Sequence, residues 1–517
     1  MRGAESLVHT LVKGGVDHCF ANPGTSEMHF VAALDHIPGV RCILGLQENI
    51  VTGAADGFFR ITEKPAATLL HCGPGLANGL ANLHNARRAR SGIVNIVGDQ
   101  ATYHRPFDAP LTADTEGWAR GVSAWVRTTV KAELVGSDAA VAIQAARTHP
   151  GQIATLILPS DSSWNEGGVV GEPLSVPPPV ALDPHQIKNA ARILGEKKNV
   201  LLLLGGKGMH EEGQKLARWI EAATGCRVIT ETYNGRFQRG RGRLPLERIP
   251  YPGAAARAML KPYGHIVLAG ARSPVGFFAY PNQPSFHHAE GTELHVLARP
   301  EQNIVQALQA LVDELSAPPA AIPDGGPCPE LPSGAITPES FAAMIAALLP
   351  EQAIIVDESI SFGRAYGPAT QAAAPHDWLP LTGGAIGCGL PLATGAAVGA
   401  RAMGQGDRRV ISCQADGSGM YTVQALWTQA REKLPITTVI FANHKYGSLL
   451  GEYGNVGANA GPTAVNMLDL GNPSIDWVQL ATSLGVEAAQ ARTIDVCADL
   501  MRQSFKRQAP FLIELLT

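Results

Sequence analysis

Charge is scarce in this chain. Only 17% of its 517 residues are charged, and their formal balance is −4. No basic stripe or block of like charge is present, which argues against nucleic acid and anionic membrane as partners. Clustered cysteine is also lacking. The eight thiols (Cys19, Cys42, Cys72, Cys226, Cys328, Cys388, Cys413 and Cys497) lie far apart, without a C-x-x-C pair, and several fall in apolar strand-like runs. That spacing argues against a disulfide framework or a cysteine zinc site and predicts reduced thiols. No apolar run reaches the roughly 18 residues of a membrane span. The opening MRGAESLVHTLVKGGVDHCF has helical periodicity in Leu7, Leu11 and Val12 and carries acidic residues, unlike a signal peptide. The expectation is a cytoplasmic enzyme.

What is abundant is alternation. The length suggests about three domains. Two proline-rich stretches without periodicity, 168–184 and 316–338, read as extended linkers and divide the chain into 1–167, 185–315 and 339–517. Each piece alternates short apolar strands with helical patterns. The candidate strands are 17–20, 41–46, 66–71, 93–97 and 154–158, then VLLLLGG, RVIT and HIVLAG, then AIIVDES, RVISCQA, TTVIFAN and PFLIELL. Near-continuous apolar strands separated by helices predict an α/β fold of three doubly wound parallel-sheet domains.

Ligands of such sheets gather at the carboxyl ends of strands. In RVISCQADGSGMYTVQALWTQAREKLPITTVIFANHKYGSL, one strand ends at Ala415 and the next, 436–442, ends at Asn443. A helix carrying Val423, Leu426, Trp427 and Ala430 on one face is expected between them. Neighbouring strands lie about 5 Å apart, so Asp416 and Asn443 would stand side by side. A carboxylate and an amide oxygen suit a hard cation such as Mg²⁺, which leaves coordination positions for phosphate oxygens. The turn Gly417-Ser418-Gly419 opens a helix whose free N–H groups favour a diphosphate. Either residue alone reads as an ordinary turn or strand end; the pair with its glycines favours a metal site.

This stretch resembles the cofactor motif of the thiamine-diphosphate-dependent 2-oxo acid decarboxylase and acetolactate synthase family, usually GDG followed by a helix, a strand and NN. The resemblance covers essentially the whole chain, in the order pyrimidine-binding, middle and diphosphate-binding domain. It implies Asp416, the Asn443 side chain and the Lys445 carbonyl as metal ligands, with Gly417, Ser418, Tyr446 and Gly447 around the cofactor. Two departures stand out: Ala415 replaces the first glycine, and Ala442 and His444 flank a single asparagine.

The same resemblance gives meaning to LQENIVTGAADG, residues 46–57. Glu48 matches the family's catalytic glutamate, which hydrogen-bonds the cofactor's pyrimidine and promotes removal of a proton from carbon. Taken alone, Glu48 reads as a helix N-terminal acid favoured by the dipole. The small residues Gly53, Ala54 and Ala55 predict close packing, expected to serve contact with a second subunit. In ANPGTSEMHF, Asn22, Gly24 and Thr25 match residues near substrate and diphosphate, Thr25 standing where benzoylformate decarboxylase has serine. In LLHCGPGLANG, His71 matches an active-site histidine of benzoylformate decarboxylase, whereas Gly73-Pro74-Gly75 looks like acetolactate synthase. In LTGGAIGCGLPLATGAA, Gly384 would offer its carbonyl to the cofactor and Ile386 would wedge it into a bent shape. In VDESISF, Ile360 and Ser361 fall where the family contacts diphosphate, Ile360 through its backbone.

The middle piece lacks the second histidine of benzoylformate decarboxylase. Phe277 or Phe278 lies near its place; the pair His287-His288 offers a substitute, against the leading reading of an exposed loop pair. Flavin-contact sequences are not recognisable, so thiamine diphosphate and Mg²⁺ are the expected cofactors and FAD is not. The resemblance implies a homodimer with shared active sites, in a homotetramer, acting on a 2-oxo acid. Carboligation after decarboxylation, as in acetolactate synthase, is the leading expectation, and simple decarboxylation the alternative. A nicotinamide oxidoreductase is disfavoured because no G-x-G-x-x-G opens a βαβ unit with a distal acid. Retention of Glu48, Asp416 and Asn443 together speaks against a non-catalytic relative.

Overall fold

A computed structural model describes all 517 residues. It contains three mainly parallel sheets. The first holds β1 (His18–Asn22), β2 (Arg41–Leu44), β3 (Ala66–Leu70), β4 (Ile93–Asp99), β5 (Trp125–Thr128) and β6 (Ile153–Pro159), in the order 2-1-3-4-6-5. The second holds β7 (Val200–Leu204), β8 (Arg227–Thr230), β10 (Glu247–Arg248), β11 (His265–Ala269) and β12 (Glu293–Ala298), in the order 10-8-7-11-12. The third holds β13 (Ile354–Glu358), β14 (His376–Pro380), β15 (Val410–Ala415), β16 (Ile436–Ala442), β17 (Glu487–Ala491) and β18 (Phe511–Leu516). Its order is 17-18-16-15-13-14-9, closed by β9 (Phe237–Arg239) from the middle stretch, antiparallel to β14. The architecture is the expected α/β fold. Helices cover both faces of the first sheet: Val94 and Ile96 of β4 join one apolar cluster, Ile93 and Val97 another. Period-two alternation with both sets apolar is what a sheet buried on both faces requires. No helix is long and apolar enough to cross a membrane, and all eight cysteines are free.

Strands missing from the sequence reading are mostly edges. β5, β9, β10, β12 and β17 each pair on one side only, where a strand needs little apolar content. β14 is the exception, an interior strand carrying His376 and Asp377. Asp377 is buried and accepts from Arg236 Nε at 2.7 Å and Arg408 at 2.5 Å. Burial works against its ionisation, but the two guanidinium groups hold its carboxyl below the usual range. Arg236 directly precedes β9, so the ion pair and the strand anchor the same segment.

The first and third sheets share one apolar cluster, in which Phe58 and Ile61 pack with Val356, Leu379 and Leu392. Its centre is the crossing of helix Glu48–Thr62 with helix Gly389–Ala402. A Cβ on Gly57 would be driven into the Leu392 carbonyl, and a Cβ on Gly395 into the Ala54 carbonyl. The small-residue face of the Glu48 helix is therefore spent within the chain, since a helix of the same molecule fills it. This corrects the expectation that it serves a second subunit. Beside the crossing, Arg60 pairs with Asp56 at 2.6 Å, both buried, and donates to the Pro380 carbonyl at 2.7 Å and to Thr382.

Replacing Gly395 with alanine should therefore lower the unfolding midpoint, with a cost of about 3 kcal/mol from overpacking, although helix propensity alone favours alanine by about 1 kcal/mol. Gly367, which has open space around it, should tolerate alanine. Urea unfolding followed by fluorescence checks this, and equal midpoints for the two variants would contradict main-chain contact at the crossing.

Candidate active site

β15 and β16 are parallel neighbours, with Ala415 opposite Phe441. Asp416 and Asn443 thus follow adjacent strand ends, as expected. Asp416 is buried, 3% exposed. One of its oxygens accepts from the Gly417 N–H at 2.8 Å and the other from the His444 N–H at 2.7 Å. Burial raises its carboxyl above the usual range, against the pull of those N–H groups. Asn443 accepts from the Lys445 N–H at 3.1 Å. The segment bridges to 468–470 through the His444 carbonyl and the Tyr446 N–H, leaving the Lys445 carbonyl without a partner. Tyr446 lies so close over Gly417 that a Cβ there would be 2.5 Å from its ring. Gly447 opens the next helix, Gly447–Asn455. The expected long helix after Asp416 is divided. Asp416–Gly419, which includes Ser418, forms a single turn, and helix Ala425–Arg431 starts later. Val423 therefore precedes the helix while Leu426 is buried in it.

Glu48 is the first residue of helix Glu48–Thr62, capped by Gln47, whose side chain accepts from the Asn49 N–H at 2.7 Å. Glu48 is 7% exposed and accepts from Asn78 at 2.9 Å. Asn78 belongs to a polar stripe on helix Cys72–Ala89. One turn on, Asn82 donates to the carbonyls of Asn49 and Gly387. Further on, Asn85 donates to the Ala385 carbonyl at 2.7 Å, and its own oxygen accepts from the Ala385 N–H. The spacing i, i+4, i+7 places all three on one face. The same polar period is visible in GLANGLANLHN.

The loop 383–387 is held from both sides. Opposite the asparagines, Glu358 accepts from the Gly387 and Gly389 N–H groups, each at 2.7 Å. Burial raises the Glu358 carboxyl, and those donors together with Gln414 pull it back. Gly384 has φ +83°, and Phe277 packs where its Cβ would stand, which is why glycine is needed there. The Gly384 carbonyl accepts no bond within the chain, and half-buried Ile386 is carried between two fastened residues. Phe277 sits in an aromatic group with Tyr233, Tyr251 and Phe278, at centroid separations of 5.7, 5.6 and 4.8 Å. His287 is buried rather than loop-exposed, 6% exposed. Ile360 adopts φ +54°, an outlier for a β-branched residue, in the loop after β13, with Ser361 next to it.

At the end of β1, Asn22 donates to the Gly45 carbonyl at 2.7 Å. His71 is a half-buried residue bound through Nδ1 to Glu27 at 2.9 Å. Gly24 lies under the His71 ring, leaving no room for a Cβ, and donates its N–H to Glu27 at 2.7 Å. Thr25 is exposed beside them. Neither Thr25 nor Ser26 caps the helix; Ser26 contacts Cys72 at 3.1 Å. Glu27 was missed in the sequence because it stood three residues after a turn, where an acid ordinarily caps. Burial raises its carboxyl, and one oxygen has no hydrogen-bond partner.

A carboxylate and an amide at neighbouring strand ends, beside glycine-lined backbone, make an enzyme site suited to a diphosphate held through a divalent cation. Residues 1–119 match the thiamine pyrophosphate enzyme N-terminal TPP binding domain, and residues 363–515 the corresponding C-terminal TPP binding domain. The chain belongs to the thiamine pyrophosphate enzyme family. It is 48% identical, across all of this chain and 99% of the other, to a Mycobacterium tuberculosis (strain H37Rv) protein provisionally named acetolactate synthase large subunit IlvX. It is 28% identical to benzoylformate decarboxylase of Pseudomonas aeruginosa over 98% of this chain and 97% of the relative. Among solved structures, the fold is shared with the thiamine diphosphate-dependent 4-hydroxybenzoylformate decarboxylase of Rhodococcus jostii RHA1. That match has a TM-score of 0.86 and 24% identity, covering 100% and 99% of the two chains.

Glu27 orients His71 through the hydrogen bond to its Nδ1. Glu27→Gln should lower kcat by about tenfold or more while KM moves little, and should alter the pH–rate profile. An unchanged profile would reduce Glu27 to a structural residue.

Proposed function

We propose that the chain is a thiamine-diphosphate- and Mg²⁺-dependent enzyme that decarboxylates a 2-oxo acid and returns the product as an aldehyde. The observation that carries the cofactor reading is the adjacency of Asp416 and Asn443. Their oxygens, with the unpartnered Lys445 carbonyl, are a hard donor set fit for Mg²⁺. The Gly384 carbonyl, likewise unpartnered, fits an aminopyrimidine donor. When bound, thiamine diphosphate would supply a nucleophilic carbon and an electron sink for loss of CO₂.

The chain's own residues then divide the remaining work. Asp416, Asn443 and Lys445 would hold the cation; Gly417, Ser418, Tyr446, Gly447, Ser361 and the Ile360 backbone would line the diphosphate. Glu48 would hydrogen-bond the pyrimidine, and Ile386 would pack against the cofactor. Asn22 and Gly24 shape the substrate side, where Thr25 stands exposed. His71, oriented by Glu27, moves a proton at the reacting carbon. That pair favours protonation of the product over carboligation, reversing the order expected from sequence. The aromatic group around Phe277 favours a 2-oxo acid with an apolar or aryl substituent. Carboligation is the second reading, supported by the relative named as an acetolactate synthase subunit. With a panel of 2-oxo acids, aldehyde should match CO₂ mole for mole; acyloin as the main product would favour the second reading.

We further infer that the working form is a dimer with shared sites. Exposed apolar residues beside the diphosphate loops, Tyr421, Leu449 and Met467, support a covering subunit. Asp416→Ala should lose Mg²⁺ and thiamine diphosphate together on dialysis; retention as tight as wild type would remove the proposed metal site. Reassembled with Glu48→Ala, it should recover about one quarter of wild-type activity, because each mixed dimer keeps one intact site. No recovery despite subunit exchange would place both residues in one chain's site.

A further inference from the structure

The middle sheet carries a cluster that the proposed reaction does not use. β11 and β12 are parallel, with His265 opposite Glu293 and Val267 opposite His295. Residues two apart on a strand share a face, so His265, Glu293 and His295 stand on one face. They sit at the amino ends of the strands, away from the carboxyl-end loops of that sheet, and β12 is an edge strand. Three lone-pair atoms converge there. His265 Nδ1 is 3.2 Å from His295 Nε2 and 3.4 Å from a Glu293 oxygen, which is 3.7 Å from His295 Nε2. One proton can lie between the two rings, but the carboxylate oxygen makes no hydrogen bond to either. Tetrahedral zinc with bonds of about 2.0 Å places its ligand atoms about 3.3 Å apart. The three separations bracket that value.

We propose that His265, Glu293 and His295 form a binding site for a divalent first-row transition ion, Zn²⁺ by preference, with water as fourth ligand. Two imidazoles and one carboxylate are a borderline donor set that selects such ions over Mg²⁺ or Ca²⁺. The rings are largely sheltered, with side-chain exposures of 18% and 12%, while Glu293, at 65%, is reachable from solvent. Metal binding needs neutral imidazole. Burial, then His265 and Arg192, hold the His295 imidazole below its usual value, against the pull of Glu293. Arg192, on helix Pro184–Glu196, is engaged by Asn189 at 3.0 Å and Glu196 at 3.6 Å. The ion would clip the edge strand to its neighbour, so its effect falls on stability of the middle sheet.

The test uses the full chain, stripped with chelator and reloaded with thiamine diphosphate and Mg²⁺ so that the catalytic cation site is filled. Titration with Co²⁺ should give the intense visible bands of a tetrahedral ion at one equivalent per chain, abolished by added Zn²⁺. His265→Gln, His295→Gln and the exposed Glu293→Gln should each weaken binding by about tenfold or more, and Asp416→Ala should keep the spectrum. Zn²⁺ should raise the melting temperature of wild type and not of the His295 variant. Absence of a tetrahedral spectrum in wild type would overturn the assignment. So would unchanged affinity in Glu293→Gln, which is expected to fold whatever the fate of the histidine variants.

Discussion

Two helices touching through bare backbone set the geometry of the molecule. Where Ala54 and Gly57 meet Leu392 and Gly395, no flexible side chain stands between the axes. Main-chain contact fixes separation and crossing more tightly than interdigitated side chains, which can change rotamer. Through that crossing the Glu48 helix of the first sheet and the helix leading from the 383–387 loop become one body. The buried Asp56–Arg60 pair adds little net energy of its own, because desolvation offsets the attraction. Its bonds to Pro380 and Thr382 make any slippage leave buried guanidinium N–H groups without acceptors, so it acts on register.

Around this contact the site is organised by buried carboxylates and amides rather than by exposed charge. Glu27, Glu358 and Asp416 each accept backbone N–H groups at about hydrogen-bond distance, and burial raises all three carboxyls. Each fixes a loop: the Gly24 turn under His71, the 383–389 segment, and the 416–417 and 443–444 corners. The asparagine stripe does the same from the opposite side with neutral groups. Preorganisation of this kind lets a site present carbonyls and N–H groups without reorganising as charge develops.

Much of this was legible in the sequence. Interior strands other than β14 announced themselves as apolar runs because burial on both faces demands it, whereas β14 hides behind its buried His376 and Asp377. Asp416 and Asn443 could be placed because each follows such a run directly. Edge strands such as Glu487–Ala491 left little trace, since one face and one side are free of packing. The direction of the small-residue face was unreadable, because Gly53-Ala54-Ala55 states that something approaches closely and not from which molecule. Glu27 and Glu358 were hidden for another reason: an acid near a turn is ordinary until its burial and the N–H groups it accepts are known. Asn78, Asn82 and Asn85 were readable, and only attention to polar rather than apolar periodicity was needed.

The strand Phe237–Arg239 has a consequence for how such chains can be rebuilt. It leaves the middle stretch, adds to the third sheet beside β14, and is fastened by Arg236 to Asp377. The middle stretch is therefore not a cassette bounded by its two proline-rich linkers. A recombination event that exchanged everything between those linkers would remove an edge strand and one of two counter-ions from the cofactor half, exposing the backbone of β14 and leaving the buried Asp377 carboxylate to Arg408 alone. Chimeras cut instead on either side of 236–239 would keep that half whole. Exchange of middle segments among relatives is thus constrained by a tripeptide and one arginine.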